Sequence, residues 1–124
     1  DDVAGAKIKK GEQAQAVSVS LVPTTDILAS IVQERVGAAP FIVGFAAETG
    51  DKTASVIEHG RAKLARKGCD LLVVNDVSAG KAFGADDNEI VILGQGGELE
   101  VSKASKAAIS DAIWDAILAA LPSR

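Results

Sequence analysis

The stretch FIVGFAAETGDKTASVIEHGRAKLARKGCDLLVVND, residues 41–76, decides the fold. Its ends, FIVGFAA (41–47) and DLLVVN (70–75), are apolar runs rich in β-forming residues, as strands covered on both faces require. Between them ETGD turns the chain, and a helix is expected from about Asp51 to Lys67. That helix places Val56, Ile57 and Leu64 inward and ends on Gly68, a residue that enters the left-handed conformation without steric cost. Strand, helix and strand in this order imply a parallel pair joined by a right-handed crossover.

Working outward, AVSVSLV (16–22) alternates Val17, Val19 and Leu21 with Ser18 and Ser20, the pattern of a half-buried strand. Pro23 ends it, Thr24, Thr25 and Asp26 offer N-cap oxygens, and Ile27, Leu28, Ile31 and Val32 carry helical spacing as far as Gly37. Downstream, DVSAGKAFGADDN (76–88) reads as a long polar loop, and EIVILG and ELEV flank QGG as a β-hairpin. A last helix starts near Ser105, with Ile109, Ile113, Ile117 and Leu121 at i+4 steps, Trp114 beside the stripe and Pro122 after it. Residues 1–12, DDVAGAKIKKGE, read as a mobile loop bounded by Gly5 and Gly11. The expected architecture is a single α/β domain over 1–124: a Rossmann-like three-layer sandwich, mostly parallel, with an antiparallel edge hairpin.

Composition narrows the chemistry. A net charge of −4 argues against general nucleic-acid affinity, which needs a basic face to neutralise phosphates. No apolar run reaches the roughly 18 residues of a membrane span. One cysteine, Cys69, cannot form an internal disulfide, so a reducing cytoplasm is expected, and one histidine with one cysteine makes a transition-metal site or Cys/His catalysis a poor fit. The absence of methionine suggests a processed product or a part of something longer.

Open α/β sheets take ligands at the carboxyl ends of their strands. PTTDIL, ETGD and NDVSAGKAFGADDN occupy such places. PTTDIL opens a helix whose free N–H groups suit a phosphate, although ordinary capping by Thr25 or Asp26 explains it as well. Lys63 and Lys67 lie four residues apart at a helix end, where the dipole alone favours cations by about 0.3–1 kcal/mol. Lys7, Lys9 and Lys10 suit either a solvated loop or a flap over an anion. Phe45 is more often core than ligand contact, and Asp86, Asp87 and Asn88 suit a turn more readily than Mg²⁺. His59 and Cys69 read as structural, and neither a P-loop nor a GxGxxG is present.

In combination, AKIKKG, TTDIL, VGFAAET, AKLARKGCDLLVVNDV, AFGADDNEIVIL and SKAAISDAI resemble phosphopantothenate–cysteine ligase over essentially the whole chain. In bacteria that ligase is usually the C-terminal half of a bifunctional coenzyme A biosynthesis protein, and this chain matches the C-terminal part of the ligase domain. The resemblance implies CTP-dependent joining of 4′-phosphopantothenate to L-cysteine through an acyl-cytidylate, with Mg²⁺, in the cytoplasm, by a homodimer or larger assembly. It implies no nucleic-acid or membrane partner, and FMN only where a decarboxylase is fused upstream. By motif, Lys7 matches the catalytically important, nucleotide-binding lysine. Thr25, Asp26, Ile27 and Leu28 match the nucleotide-binding helix start, with Thr25 where the family often has proline. Phe45 matches a nucleotide-contacting phenylalanine, and Lys63 and Lys67 match two nucleotide-binding lysines. The family's Gly-rich opening, an asparagine linked to acyl-cytidylate turnover and an aspartate upstream of KIKK have no counterpart here. The alternative is a non-catalytic nucleotide-binding or assembly module of the same fold.

Overall fold

The structure is a computed structural model and describes residues 16–78 and 87–123. Within 41–76 the expected unit is present: β1 (Val43–Glu48), α2 (Val56–Lys67) and β2 (Leu71–Asp76), preceded by α1 (Ile27–Glu34). β1 and β2 pair in parallel, Val43 opposite Leu71 through to Glu48 opposite Asp76. β3 (Asp87–Gly94) and β4 (Gly97–Ser105) form the expected hairpin, and α3 (Lys106–Ala120) closes the chain. The sheet order is β1-β2-β3-β4, with β3 antiparallel to both neighbours.

Local chemistry fixes the ends of α2. Ser55 caps it: its Oγ accepts from Glu58 N–H while the Glu58 carboxylate accepts from Ser55 N–H, a reciprocal capping box. Gly68, at φ 73°, terminates it as the sequence implies. The helix begins later than expected because Asp51 turns back on itself. Its Oδ1 accepts from Thr53 N–H, the Thr53 hydroxyl and Ala54 N–H, which holds 51–54 in a turn. Ser105 caps α3 through its side chain alone, Oγ accepting from Ala108 N–H.

Helices cover both faces of the sheet. On one face Ile42, Ala46, Leu72, Val74 and Leu93 pack with Leu28 and Val32 of α1 and with Val56, Ile57 and Leu64 of α2. On the other, Leu71, Val73, Ile90 and Ile92 pack with Ile109, Ile113 and Ile117 of α3. Burying each such side chain contributes about 1.5–3 kcal/mol, so the two half-cores on β2 and β3 dominate the stability. Gly60 brings α2 close to the sheet: a Cβ there would lie 2.8 Å from Leu93 Cδ1 and 2.9 Å from Val74 Cγ2.

One expected strand is not in the sheet. Residues 16–22 are irregular, and Val17, Val19 and Leu21 are exposed, Leu21 by 89%. Alternation marks a segment able to form a strand, but a strand exists only with a hydrogen-bonded neighbour, and none of the described strands pairs with it. The three-layer α/β arrangement and the edge hairpin stand, while the parallel part among the described residues is the β1–β2 pair.

Candidate functional site

Even and odd positions of β1 face opposite layers, and this sorts the candidate residues. Ala46 belongs to the α1/α2 face, and a Cβ on Gly44 would meet Leu28 Cδ2 at 2.8 Å on that side. Glu48 continues the same parity and ends the strand against α2. Phe45 and Val43 point the other way, into a groove of about 450 Å³ lined also by Phe41, Ser110, Ile113, Trp114 and Ile117. Phe45 is 65% exposed and Trp114 64% exposed, because among the described residues α3 packs mainly over β3 and β4 and covers this side of β1 only as far as Val43.

On the α1/α2 face the two lysines of the motif lie one helical turn apart, and each meets a carboxylate from another element. Lys63 Nζ pairs with Glu48 Oε1, at the end of β1. Lys67 Nζ pairs with Asp26 Oδ2, at the start of α1. The side chains of Lys63 and Glu48 are 29% and 16% exposed, so this is a half-buried pair rather than a solvated one. Glu48 Oε1 is buried and, among the described residues, carries no hydrogen bond of regular geometry; the Lys63 ammonium is its ion-pair partner. Neither lysine is a free helix-end charge.

Asp26 has two tasks. Its Oδ1 caps α1 by accepting from Ala29 N–H at 3.0 Å, while Oδ2 takes Lys67. The Lys67 ammonium, and after it the Ala29 amide, hold the Asp26 carboxyl below its usual 3.8. Ile27 and Leu28 follow in the first turn, Leu28 packed inward and Ile27 exposed, and Thr25 is exposed in front of the cap. Lys7, with Lys9, Lys10 and Asp86, lies outside the described residues.

The other end of α1 is fastened by residues that sequence reading passed over. Asp70 Oδ2 accepts from Arg35 Nη1 at 2.6 Å and from Ile42 N–H at 2.7 Å, and Arg35 also donates to Pro40 O. One carboxylate thereby ties the exit of α1 and the entry of β1 to the start of β2. His59, on the α2 surface as expected, lies with Nε2 3.0 Å from Asp51 Oδ2. Cys69 is buried, and burial raises its thiol pKa above 9.0, the opposite of what a reactive thiolate needs.

The structure thus brings Asp26, Lys67, Lys63 and Glu48 together along one face, two lysines flanked by a carboxylate at each end. It places Phe45 on the reverse face with Trp114. Glu48 opens the ETGD segment that the sequence marks at a strand end, but its pairing with Lys63 is not legible there because it depends on the helix that follows. The available signal was an acid closing an apolar strand directly ahead of a lysine-bearing crossover helix. Among the described residues no three His, Cys, Asp or Glu side chains converge as a metal cage would require. Asn88 donates to Asn75 Oδ1, which accounts for one of the three polar residues considered for Mg²⁺.

With this geometry in view, comparison with known proteins is specific. Residues 1–121 match the DNA/pantothenate metabolism flavoprotein C-terminal domain family. The chain belongs to this family. The coenzyme A biosynthesis bifunctional protein CoaBC of Mycobacterium tuberculosis is 47% identical over 121 residues, covering 94% of this chain and 29% of that protein. That of Mycolicibacterium smegmatis is 47% identical over 127 residues, covering 98% and 30%. A crystal structure of the C-terminal domain of CoaBC superposes with a TM-score of 0.58 at 27% identity, over 76% of this chain and 43% of that one. The Streptococcus pneumoniae DNA/pantothenate metabolism flavoprotein, at 18% identity and a TM-score of 0.57, shares the fold. The chain therefore spans less than a third of the length of these curated relatives, and the phosphopantothenate–cysteine ligase resemblance coincides with the family match.

Proposed function

We propose that this chain is the nucleotide-binding part of a phosphopantothenate–cysteine ligase acting in coenzyme A biosynthesis, with CTP as co-substrate. One observation carries the reading: in a chain matching the family over 1–121, Lys63 and Lys67 converge with the capped start of α1 on one face. The chemistry calls for such a cluster. A carboxylate attacking the α-phosphate of a nucleotide brings two anions together and releases a third, so fixed cations and amide dipoles lower the barrier by offsetting that repulsion. Lys63 and Lys67 would hold phosphate oxygens, and the α1 N–H groups not used by Asp26 would add their dipole. Lys7 supplies a further cation on this reading.

Mg²⁺ is expected to arrive with the triphosphate. It commonly binds through substrate phosphates and one or two carboxylates, and the described residues offer no cage of their own. The homodimer, 4′-phosphopantothenate and cysteine remain parts of the same proposal. Calorimetric titration of the intact protein with CTP and with ATP, each with Mg²⁺, tests it. CTP is expected to bind more tightly, and equal or tighter ATP binding refutes the nucleotide assignment.

A binding-only role is the second reading, favoured by the placement of Phe45 across the sheet from the lysines. Release of pyrophosphate from CTP on adding 4′-phosphopantothenate separates the two, since a binding module releases none.

A further inference from the structure

We propose that Glu48 is a resident counter-anion of Lys63, which an incoming polyphosphate must compete with, so that Glu48 sets how strongly the site holds nucleotide and pyrophosphate. The proposal rests on the nucleotide-binding reading of Lys63. No motif reading assigned Glu48 a task; the geometry does.

Three observations carry it. The Glu48 carboxylate meets the Lys63 ammonium directly and is the less exposed partner, at 16% against 29%. The contacting oxygen is buried and, among the described residues, has no hydrogen bond of regular geometry to occupy it otherwise, so the lysine is its compensation. Lys67, one turn on, is likewise held by Asp26, so the motif's two cations face two anions and the four charges sum to zero.

A site neutralised in this way behaves differently from a bare basic pocket. A single phosphate gains little from two ammonium groups that already have partners. A polyphosphate spans both lysines and carries enough charge to compete for them. An ammonium has three donors and need not release its carboxylate wholly, but the carboxylate then stands one ammonium away from a phosphate oxygen. In a half-buried setting that repulsion is screened far less than in water. Glu48 also holds the Lys63 side chain in one geometry, which favours binding by reducing the rotamer freedom lost. Repulsion acts between full charges at short range and outweighs this gain. The sign follows: removing the Glu48 charge tightens polyphosphate binding. For a ligase that must release pyrophosphate after each activation, a built-in competitor at the phosphate site shortens the product's stay.

The test uses the intact protein, with calorimetric titration of inorganic pyrophosphate and of CTP, each with Mg²⁺, on Glu48→Gln, Glu48→Asp, Lys63→Gln and the Glu48→Gln/Lys63→Gln double variant. Glu48→Gln is expected to tighten pyrophosphate binding roughly tenfold, a change of the size one partly screened charge contact produces. Glu48→Asp, whose carboxylate is drawn back by one methylene, is expected to move affinity the same way by less. The Glu48→Gln gain should vanish when Lys63 is Gln, because the competition runs through that ammonium. A merely structural Glu48 could lower affinity on substitution but has no route to raise it through Lys63. If Lys63→Gln weakens binding while Glu48→Gln leaves it unchanged or weaker, the counter-anion proposal is overturned and the nucleotide reading survives. If Lys63→Gln leaves both affinities unchanged, the nucleotide reading fails at this position and the proposal falls with it. Should Glu48→Gln not fold, Glu48→Asp is judged by the same criterion.

Discussion

Lys63 and Lys67 share a residue type, a helix and a face, yet removing them should not have equal effects. Lys63→Gln strands the half-buried Glu48 carboxylate, whose contacting oxygen has no regular hydrogen bond among the described residues. Fully buried pairs broken from one side lose about 3–5 kcal/mol and exposed ones about 0–1, so this pair should lose about 1–3 kcal/mol. Lys67→Gln leaves Asp26 still capping Ala29 N–H and more open to water, so its melting point should fall less. Thermal melts of the two variants check the order, and an equal or reversed order refutes the assignment of Lys63 as the stronger tie. If both lysines also hold nucleotide, each substitution should weaken CTP binding by about 1.5–3 kcal/mol, the size of a lost charged contact. The lysines themselves were legible from the motif and from dipole chemistry. Their partners were not, because an ion pair between α2 and residues of α1 or β1 is set by packing and not by spacing along the chain.

At the scale of elements, what was readable is what local chemistry determines. The end of α2 at Gly68, the cap at Ser105 and the QGG hairpin all depend on residues within one turn of each other. The start of α2 was misplaced because Asp51 serves the turn before the helix rather than the helix itself. The alternation in 16–22 does not by itself make a strand, because strand formation is settled by a distant partner. Two predictions belong here. Gly60→Ala ordinarily strengthens a helix by about 0.5–1 kcal/mol. Here the new methyl meets Leu93 and Val74, both fully buried so that neither can turn out to solvent, and overpacking of that kind costs about 1–3 kcal/mol. The net change should be destabilising by denaturant titration, whereas Gly96→Ala, with open space around it, should be near neutral. The second concerns acid. The Thr53 hydroxyl, then the Thr53 and Ala54 amides, hold the Asp51 carboxyl far below its usual 3.8. A depressed carboxyl contributes stability that is present above 3.8 and is lost as pH falls through its lower folded value. Asp51→Ala should therefore flatten the decline in melting temperature below that point, and a decline as steep as that of the unmodified chain refutes it.

Across the described residues, most of the buried apolar side chains sit on β2 and β3, while β1 is the edge strand of the sheet and leaves Phe45 largely exposed on one face. The fold class was legible because strand–helix–strand order leaves few topologies. Which side of β1 stays the more exposed was not, since it depends on where α3 returns, and α3 returns mainly over the hairpin. This asymmetry makes a prediction about where stability resides. Leu72 and Leu93 are wholly buried on the α1/α2 face and Ile92 is buried on the α3 face. Each replaced by Ala should lose about 2–5 kcal/mol, the range for emptying a packed site. Phe45 and Trp114 are larger and more hydrophobic by composition alone, yet they are mostly exposed, and Trp114→Gln or Phe45→Thr should change stability by no more than about 0.5 kcal/mol. Denaturant titrations followed by circular dichroism, which does not depend on the tryptophan being altered, measure both groups alike. A loss at Phe45 or Trp114 comparable to that at Leu93 would mean that the face left open by α3 is packed in the folded protein, and the arrangement of α3 over β3 and β4 alone would have to be abandoned.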